Sequence, residues 1–299
     1  MTPNPVLEKL GFSPEERIII IQADDIGMCE ASVSAFRELW TFGLISSGTV
    51  MVPCPWFLQA ATFFRGNPQV DVGIHLTFTS EWETYRWGPI STADPSSGMM
   101  DSDGCFYRTA QEAKKHGDAD AVTRELRAQV ERAVAMGIIP THIDTHMRTV
   151  EHPKFLSGYL QLAIDYALPI MMMHKDEQGW LEFGMDAEMA KLAAFAVAQA
   201  EERGIPLVDH AGGMGFHQGT SVNERIAYAK NAIDTLQPGI THFYLHPSKD
   251  TPELRAITPD WPYRVADYLV FKSEELRDYI RQSNVQVIGY GTLKGLVPS

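Results

Sequence analysis

Apolar runs rich in β-branched residues recur along the chain at Arg17–Gln22, Gly48–Val52, Val70–Leu76, Thr141–Asp144, Pro169–Met173, Pro206–Asp209, Ile240–Leu245 and Val285–Ile288. Between them lie amphipathic stretches, ASVSAFRELWTFG, DAVTRELRAQVERAVAMG, DAEMAKLAAFAVAQAEERG and VNERIAYAKNAIDTL, several closed by a Gly where a left-handed helix C-cap is expected. Strands alternating with helices imply parallel βαβ units, and about eight of them is the arithmetic of a β/α barrel. An open doubly wound sheet shows the same alternation, so the polar positions must choose. Five runs end in Asp or His: Asp24 and Asp25 after Gln22, His75 after Gly73, Asp144 and His146 after His142, Asp209 and His210 after Val208, and His246 after Tyr244. Ionisable groups at so many strand ends describe the C-terminal rim where barrel enzymes keep their chemistry.

The stretch 77–117 is rich in Gly, Pro, Ser and aromatics and has no periodicity, which predicts an inserted loop over the barrel mouth. No linker or repeat appears elsewhere, so residues 1–299 are expected to form one domain. The apolar share of 44% and charged share of 21% are those of a globular protein with a sizeable core. A net charge of −13 without a Lys/Arg cluster excludes a nucleic-acid partner. No basic leader with an apolar core opens the chain, and no apolar run nears the ~20 residues that span a bilayer, so a soluble cytoplasmic protein is expected. Cys29, Cys54 and Cys105 are odd in number and far apart, which fits a reducing compartment and neither a disulfide framework nor a CxxC metal site. A homodimer is compatible with all of this.

Asp24 and Asp25 present two carboxylates at a strand end, one able to ligate a metal while the other takes a proton from bound water. Helix capping and plain solvation are the alternative uses of such a pair. His142, Asp144 and His146 alternate and would share one face of an extended segment, which is hard to bury without a metal or a dense hydrogen-bond network. His75 gains meaning only with such partners, and His246 could supply a proton to a leaving group. One carboxylate and two imidazoles form the N/O set of a catalytic divalent ion with open positions.

Ala23–Gly27 (ADDIG), Gly73–Thr77 (GIHLT), His142–His146 (HIDTH) and Leu245–Pro247 (LHP) occur in the order of the YdjC-like carbohydrate deacetylases of the ChbG/HpnK type, which the chain resembles from about Arg17 to Gly291. The resemblance implies an irregular parallel (β/α) barrel of about seven to eight strands, akin to polysaccharide deacetylases. It implies hydrolysis of an N-acetyl group, less readily an O-acetyl group, on a sugar. By the same resemblance Asp25, His75 and His146 ligate the metal, Asp24 is the general base, His246 the general acid, and Arg264 with Asp267 supports the site. Ligand chemistry favours zinc, while the family description keeps magnesium alongside it. The chain departs from its relatives in reading Met147–Val150 (MRTV) after His146, so the substrate-side lining differs; Arg148 there could meet an acidic or hydroxylated group. Trp82, Tyr85 and Trp87 could stack on sugar faces or form a small core under the loop. Rival readings are another metal-dependent barrel hydrolase, a phosphoesterase or amidohydrolase, for which His174, Asp209, His210 and His217 could supply a second metal, and a sugar-binding protein without turnover.

Overall fold

The computed structural model describes residues 4–216, 219 and 221–298. Seven parallel strands lie in one sheet: β1 (Arg17–Ile26), β2 (Ser47–Val50), β3 (Val72–Leu76), β4 (Ile143–Thr145), β5 (His210–Gly213), β6 (Gly239–Leu245) and β7 (Gln286–Val287). Their order is β4-β3-β2-β1-β6-β5, and β7 pairs with the N-terminal half of β1, at Ile18 and Ile19. β1 is the centre of this sheet. Its run Ile18–Ile21 is fully buried, which explains why it reads as a continuous apolar stretch and not as an alternating one.

The six-strand ladder curves into a half-barrel, and residues 169–174 span the remaining gap. Ile170 bridges Ile143 on one side and Met173 bridges Val208 on the other. These are single bridges, with Met171 N–H donating to Ile143 O at 3.1 Å and His174 N–H to Val208 O at 2.6 Å. The predicted strand Pro169–Met173 is therefore only a loose stave. The predicted strand Pro206–Asp209 is displaced: its ladder begins at His210, one residue after its expected end. Pro169 and Pro206 have no N–H to donate, which keeps regular pairing away from both starts. The irregular parallel barrel is otherwise as read.

Helices pack around the sheet, among them Glu30–Phe42, Ala119–Ala135, Ala187–Glu202 and Val222–Asp234, which match the four amphipathic stretches. Asp118, Asp186 and Ser221 cap three of them through side-chain bonds to N3 amides, and Gly43 closes the first at φ 81°. The helices Phe57–Gly66, Pro153–Tyr166, Trp261–Phe271 and Glu274–Gln282 complete the ring. Among the described residues no helix is long and apolar enough to cross a membrane.

The 77–117 stretch has a core of its own: Phe78, Trp87, Met99 and Phe106 are buried. Buried Glu125 on helix Ala119–Ala135 accepts from the amides of Ile90 and Ser91, the latter at 2.8 Å, and Gln129 pairs both ways with the Thr77 backbone. Absence of periodicity here reflects a segment pinned by side-chain acceptors.

Candidate metal centre

The site begins with a fault in a strand. Ala23 pairs with Gly48 and Ile26 with Val50, so three steps along β1 cover two along β2. The extra residue is a bulge, and Asp25 within it takes φ 61°, a left-handed conformation that Asp tolerates better than most residues. Neighbours on a regular strand point to opposite faces; this turn lets Asp24 and Asp25 line the same cleft of about 590 Å³.

Asp25 Oδ1 lies 3.4 Å from His75 Nε2 and 3.3 Å from His146 Nδ1, and one ligand atom from each of the three residues lies within 4.8 Å of the others. All three side chains are buried. Oδ2 accepts from Arg264 Nη1 at 2.7 Å, whereas Oδ1 is sealed from solvent and takes no hydrogen bond among the described residues. Burial alone would raise the Asp25 carboxyl, but Arg264, with His146 and His75, overrides it and holds the group well below the usual carboxylate range. A buried, ionised oxygen without a donor, facing two imidazoles, fits a divalent cation by its donor set and by its unmet charge. The far nitrogens are anchored as metal-binding histidines usually are: His75 Nδ1 to Asp144 Oδ1 at 2.6 Å, His146 Nε2 to Glu81 Oε2 at 3.1 Å. Burial pulls both imidazoles down, yet Asp144 lifts His75 well above its ordinary value and Glu81 lifts His146 to about 9. Those protons stand where a cation would replace them.

Asp24 is buried beside this trio. Gln22 Nε2 donates to its Oδ1 at 2.7 Å and Thr49 Oγ1 at 3.0 Å; among the described residues Oδ2 takes no hydrogen bond. Burial, followed by the charge of Asp144, raises its carboxyl to about 7. The face shared by His142, Asp144 and His146 is real and forms a stair: His142 meets Gln22 in the barrel floor, Asp144 meets His75 in the middle, and His146 reaches Asp25 at the rim. Gly73 makes the lowest step fit, since a Cβ there would lie 2.4 Å from His142 Cε1.

His246 lies on the same cleft with its ring 4.9 Å from that of Phe216. Burial pushes its imidazole down to about 3, which favours the neutral ring. Its backbone N–H donates to Asp267 Oδ2 at 3.0 Å, and Asp267 is in turn held by fully buried Arg225. Asp267 therefore supports the His246 backbone, while Arg264 supports Asp25.

Arg148 lines the cleft mouth, held by Glu151 Oε2 at 2.9 Å and lying 5.8 Å over the Phe183 ring. Trp82, Tyr85 and Trp87 do not line the cleft. Trp82 and Trp87 are buried and the three rings contact one another at 5.4–6.4 Å, with Trp87 Nε1 bonded to Thr79 O and Tyr85 Oη to Met28 O. Their faces meet each other and Arg264, 5.7 Å over Trp82, as in a small core under the loop.

The described residues weighed for a second metal are each engaged elsewhere. His174 pairs with Glu201 at 3.0 Å, Asp209 accepts from Ile240 N–H, and His210 faces Pro238 O; His217 lies outside the described residues. Among the described residues the groups that could hold an ion are Asp25–His75–His146 and Asp24–His75–Asp144, which share His75. Gln22, Thr49 and Glu81 were not singled out from the sequence. Gln22 ends the first strand run as an ordinary polar residue, and Glu81 sits in the unpatterned segment; proximity to the motif GIHLT was the one signal for it.

A carbohydrate deacetylase of Thermus thermophilus is 30% identical over 91% of this chain and 92% of its own length. A chitooligosaccharide deacetylase of Yersinia enterocolitica is 26% identical over 65% of this chain and 80% of its own. A solved structure from Enterococcus faecalis V583, of a protein with a suggested role in cellobiose-phosphate cleavage, superposes with a TM-score of 0.75 at 20% identity, over 93% of this chain and 99% of that one, which supports the fold. The family model described as YdjC-like protein matches residues 18–282, and with these motifs in place the chain belongs to the YdjC-like family.

Proposed function

We propose that the chain is a metal-dependent hydrolase that removes an acetyl group from an N-acetylated sugar. The observation that carries this reading is the unpartnered Asp25 Oδ1 between His75 and His146, in a cleft that also holds Asp24 and His246. Relatives named as carbohydrate deacetylases, related over most of the chain, supply the substrate class.

An ion held by Asp25, His75 and His146 would acidify a bound water and polarise the acetyl carbonyl. Asp24, raised to about 7, is a base matched to neutral pH and accepts the proton of the attacking water. Arg264 keeps Asp25 ionised and fixed through Oδ2, so Oδ1 stays turned to the two imidazoles that would hold the ion with it. His246 begins neutral, with Nδ1 unpartnered among the described residues; negative charge growing on the substrate would favour its taking up a proton from solvent in the cleft, which it passes to the departing amine, while Asp24 gives the water proton back to solvent. Two nitrogen donors to one oxygen suit zinc or another first-row ion better than magnesium, which prefers an oxygen shell.

The test is acetate release from a panel of N- and O-acetylated saccharides by stripped protein reloaded with zinc, magnesium, cobalt or nothing, beside Asp24→Asn and His246→Ala. Release from N-acetylated members that needs an ion and both residues supports the proposal. No acetate under any loading overturns it and leaves phosphoester and other amide substrates to be tried.

A further inference from the structure

We infer that Gln22 is a positioning residue of this centre, joining the proposed base to a metal-binding histidine through a single amide. Gln22 sits at the inner end of the bulge in β1, fully buried, and its Nε2 lies 2.7 Å from both Asp24 Oδ1 and Asp144 Oδ2. One NH2 group has two N–H bonds, and here each is given to a different carboxylate. Asp144 uses its other oxygen on His75 Nδ1 at 2.6 Å. A continuous path therefore runs from Asp24 through Gln22 and Asp144 to His75, whose Nε2 then faces Asp25 and the ion position.

The amide cannot turn over without loss. Gln22 Oε1 faces His142 Nε2 at 2.8 Å, and rotation would put the carbonyl against two carboxylates and the NH2 against the ring. His142 is locked in turn by stacking on Tyr290, at 3.7 Å between centroids and 13° between planes, and by the absence of a side chain at Gly73. Two buried carboxylates this close need donors between them, and Gln22 gives a donor to each while fixing their separation. The residue touches neither substrate nor ion. It acts by holding Asp24 aimed at the cleft and by holding Asp144 where it orients His75.

The inference rests on the metal centre proposed above but not on the identity of the substrate, so it is tested on cobalt binding as well as on turnover. Gln22→Met keeps the length and removes both donors. Cobalt affinity should fall by about three- to tenfold, less than the roughly 10- to 100-fold typical when a direct partner of a metal histidine is lost, and kcat should fall by at least about tenfold with KM within about threefold. In an Asp144→Asn background the same change should alter cobalt affinity by less than about twofold, because the path to His75 is already cut. His142→Phe keeps the stack on Tyr290 and frees the amide to turn; it should move both readouts the same way by less, and it carries the test if Gln22→Met fails to fold by near-ultraviolet circular dichroism. Wild-type cobalt affinity and kcat in folded Gln22→Met, or losses that add fully with Asp144→Asn, would overturn the inference. Cobalt binding without acetate release from any substrate would sink the deacetylase proposal and leave this one standing; a wild type that binds no cobalt would sink both.

Discussion

Asp24 and Asp25 are adjacent and both buried, yet they are driven in opposite directions: burial, joined by the charge of Asp144, raises Asp24, while the guanidinium touching Asp25 overrides the same burial. Environments that drive like groups in opposite directions are how one site obtains a fixed anion and a titrating base. Asp24→Asn should leave cobalt binding within a few-fold and lower kcat by about 10²- to 10⁴-fold, the range for removal of a general base. The base works deprotonated, so kcat/KM should rise with pH through a limb at or below about 7; a cation beside His75 favours the ionised form and moves that limb down, never up. A pH profile in which the residual activity of Asp24→Asn keeps the same limb would assign it to another group. Single residues at strand ends, Asp24, Asp25, His75, His146 and His246, were legible because an ionisable group ending an apolar run has few structural uses. Gln22 was not, since nothing in a sequence tells a solvated amide from one that bridges two carboxylates far apart in the chain.

At the scale of elements the site is the meeting of β1, β3 and β4, held in register by His75 opposite Asp144. The apolar runs made these strands legible, and amphipathic periodicity with its helix caps made four of the helices legible. The bulge at Asp24–Asp25 and the loose stave at 169–174 were not, because both depend on what a neighbouring strand offers and not on local pattern. Close packing of β3 on β4 rests on Gly73. In Gly73→Ala the new Cβ would overlap the His142 ring, which cannot retreat because Tyr290 is stacked on it. A loss of about 1–3 kcal/mol is expected from such overpacking, with weaker cobalt binding as the stair shifts. Urea unfolding and cobalt titration check both, and an Ala variant with wild-type values in each would show that His142 has room to move.

Across the whole molecule the centre loads a barrel with buried ionisable groups that folding alone does not favour. Binding of an ion to the folded state alone should offset some of this, by about 2.7 kcal/mol at a hundredfold excess over Kd. For a chain of this size that is a rise in Tm of several degrees, lost in Asp25→Asn, and absence of a shift in the wild type would count against an ion held by the folded chain. The histidines give a second handle. Burial is the first cause that holds His142 down to about 3, His242 to about 4 and His246 to about 3, against about 6.5 in an unfolded chain. Between those limits the unfolded state binds more protons, so each of the three makes stability rise with pH up to about 6.5 and lose ground below it. Asp24 opposes them, since its raised carboxyl keeps a proton in the folded state between about 3.8 and 7 and its contribution falls as pH rises. The measured slope is the balance of these groups, so the informative quantity is a difference between proteins. His142→Gln removes one rising term and should flatten the curve by up to about 1.4 kcal/mol per pH unit between pH 4 and 6, while leaving it unchanged above pH 7.5. Urea unfolding of both proteins at intervals across that range decides it: parallel curves would show that His142 takes up its proton while folded, and that the stair opens before the barrel does.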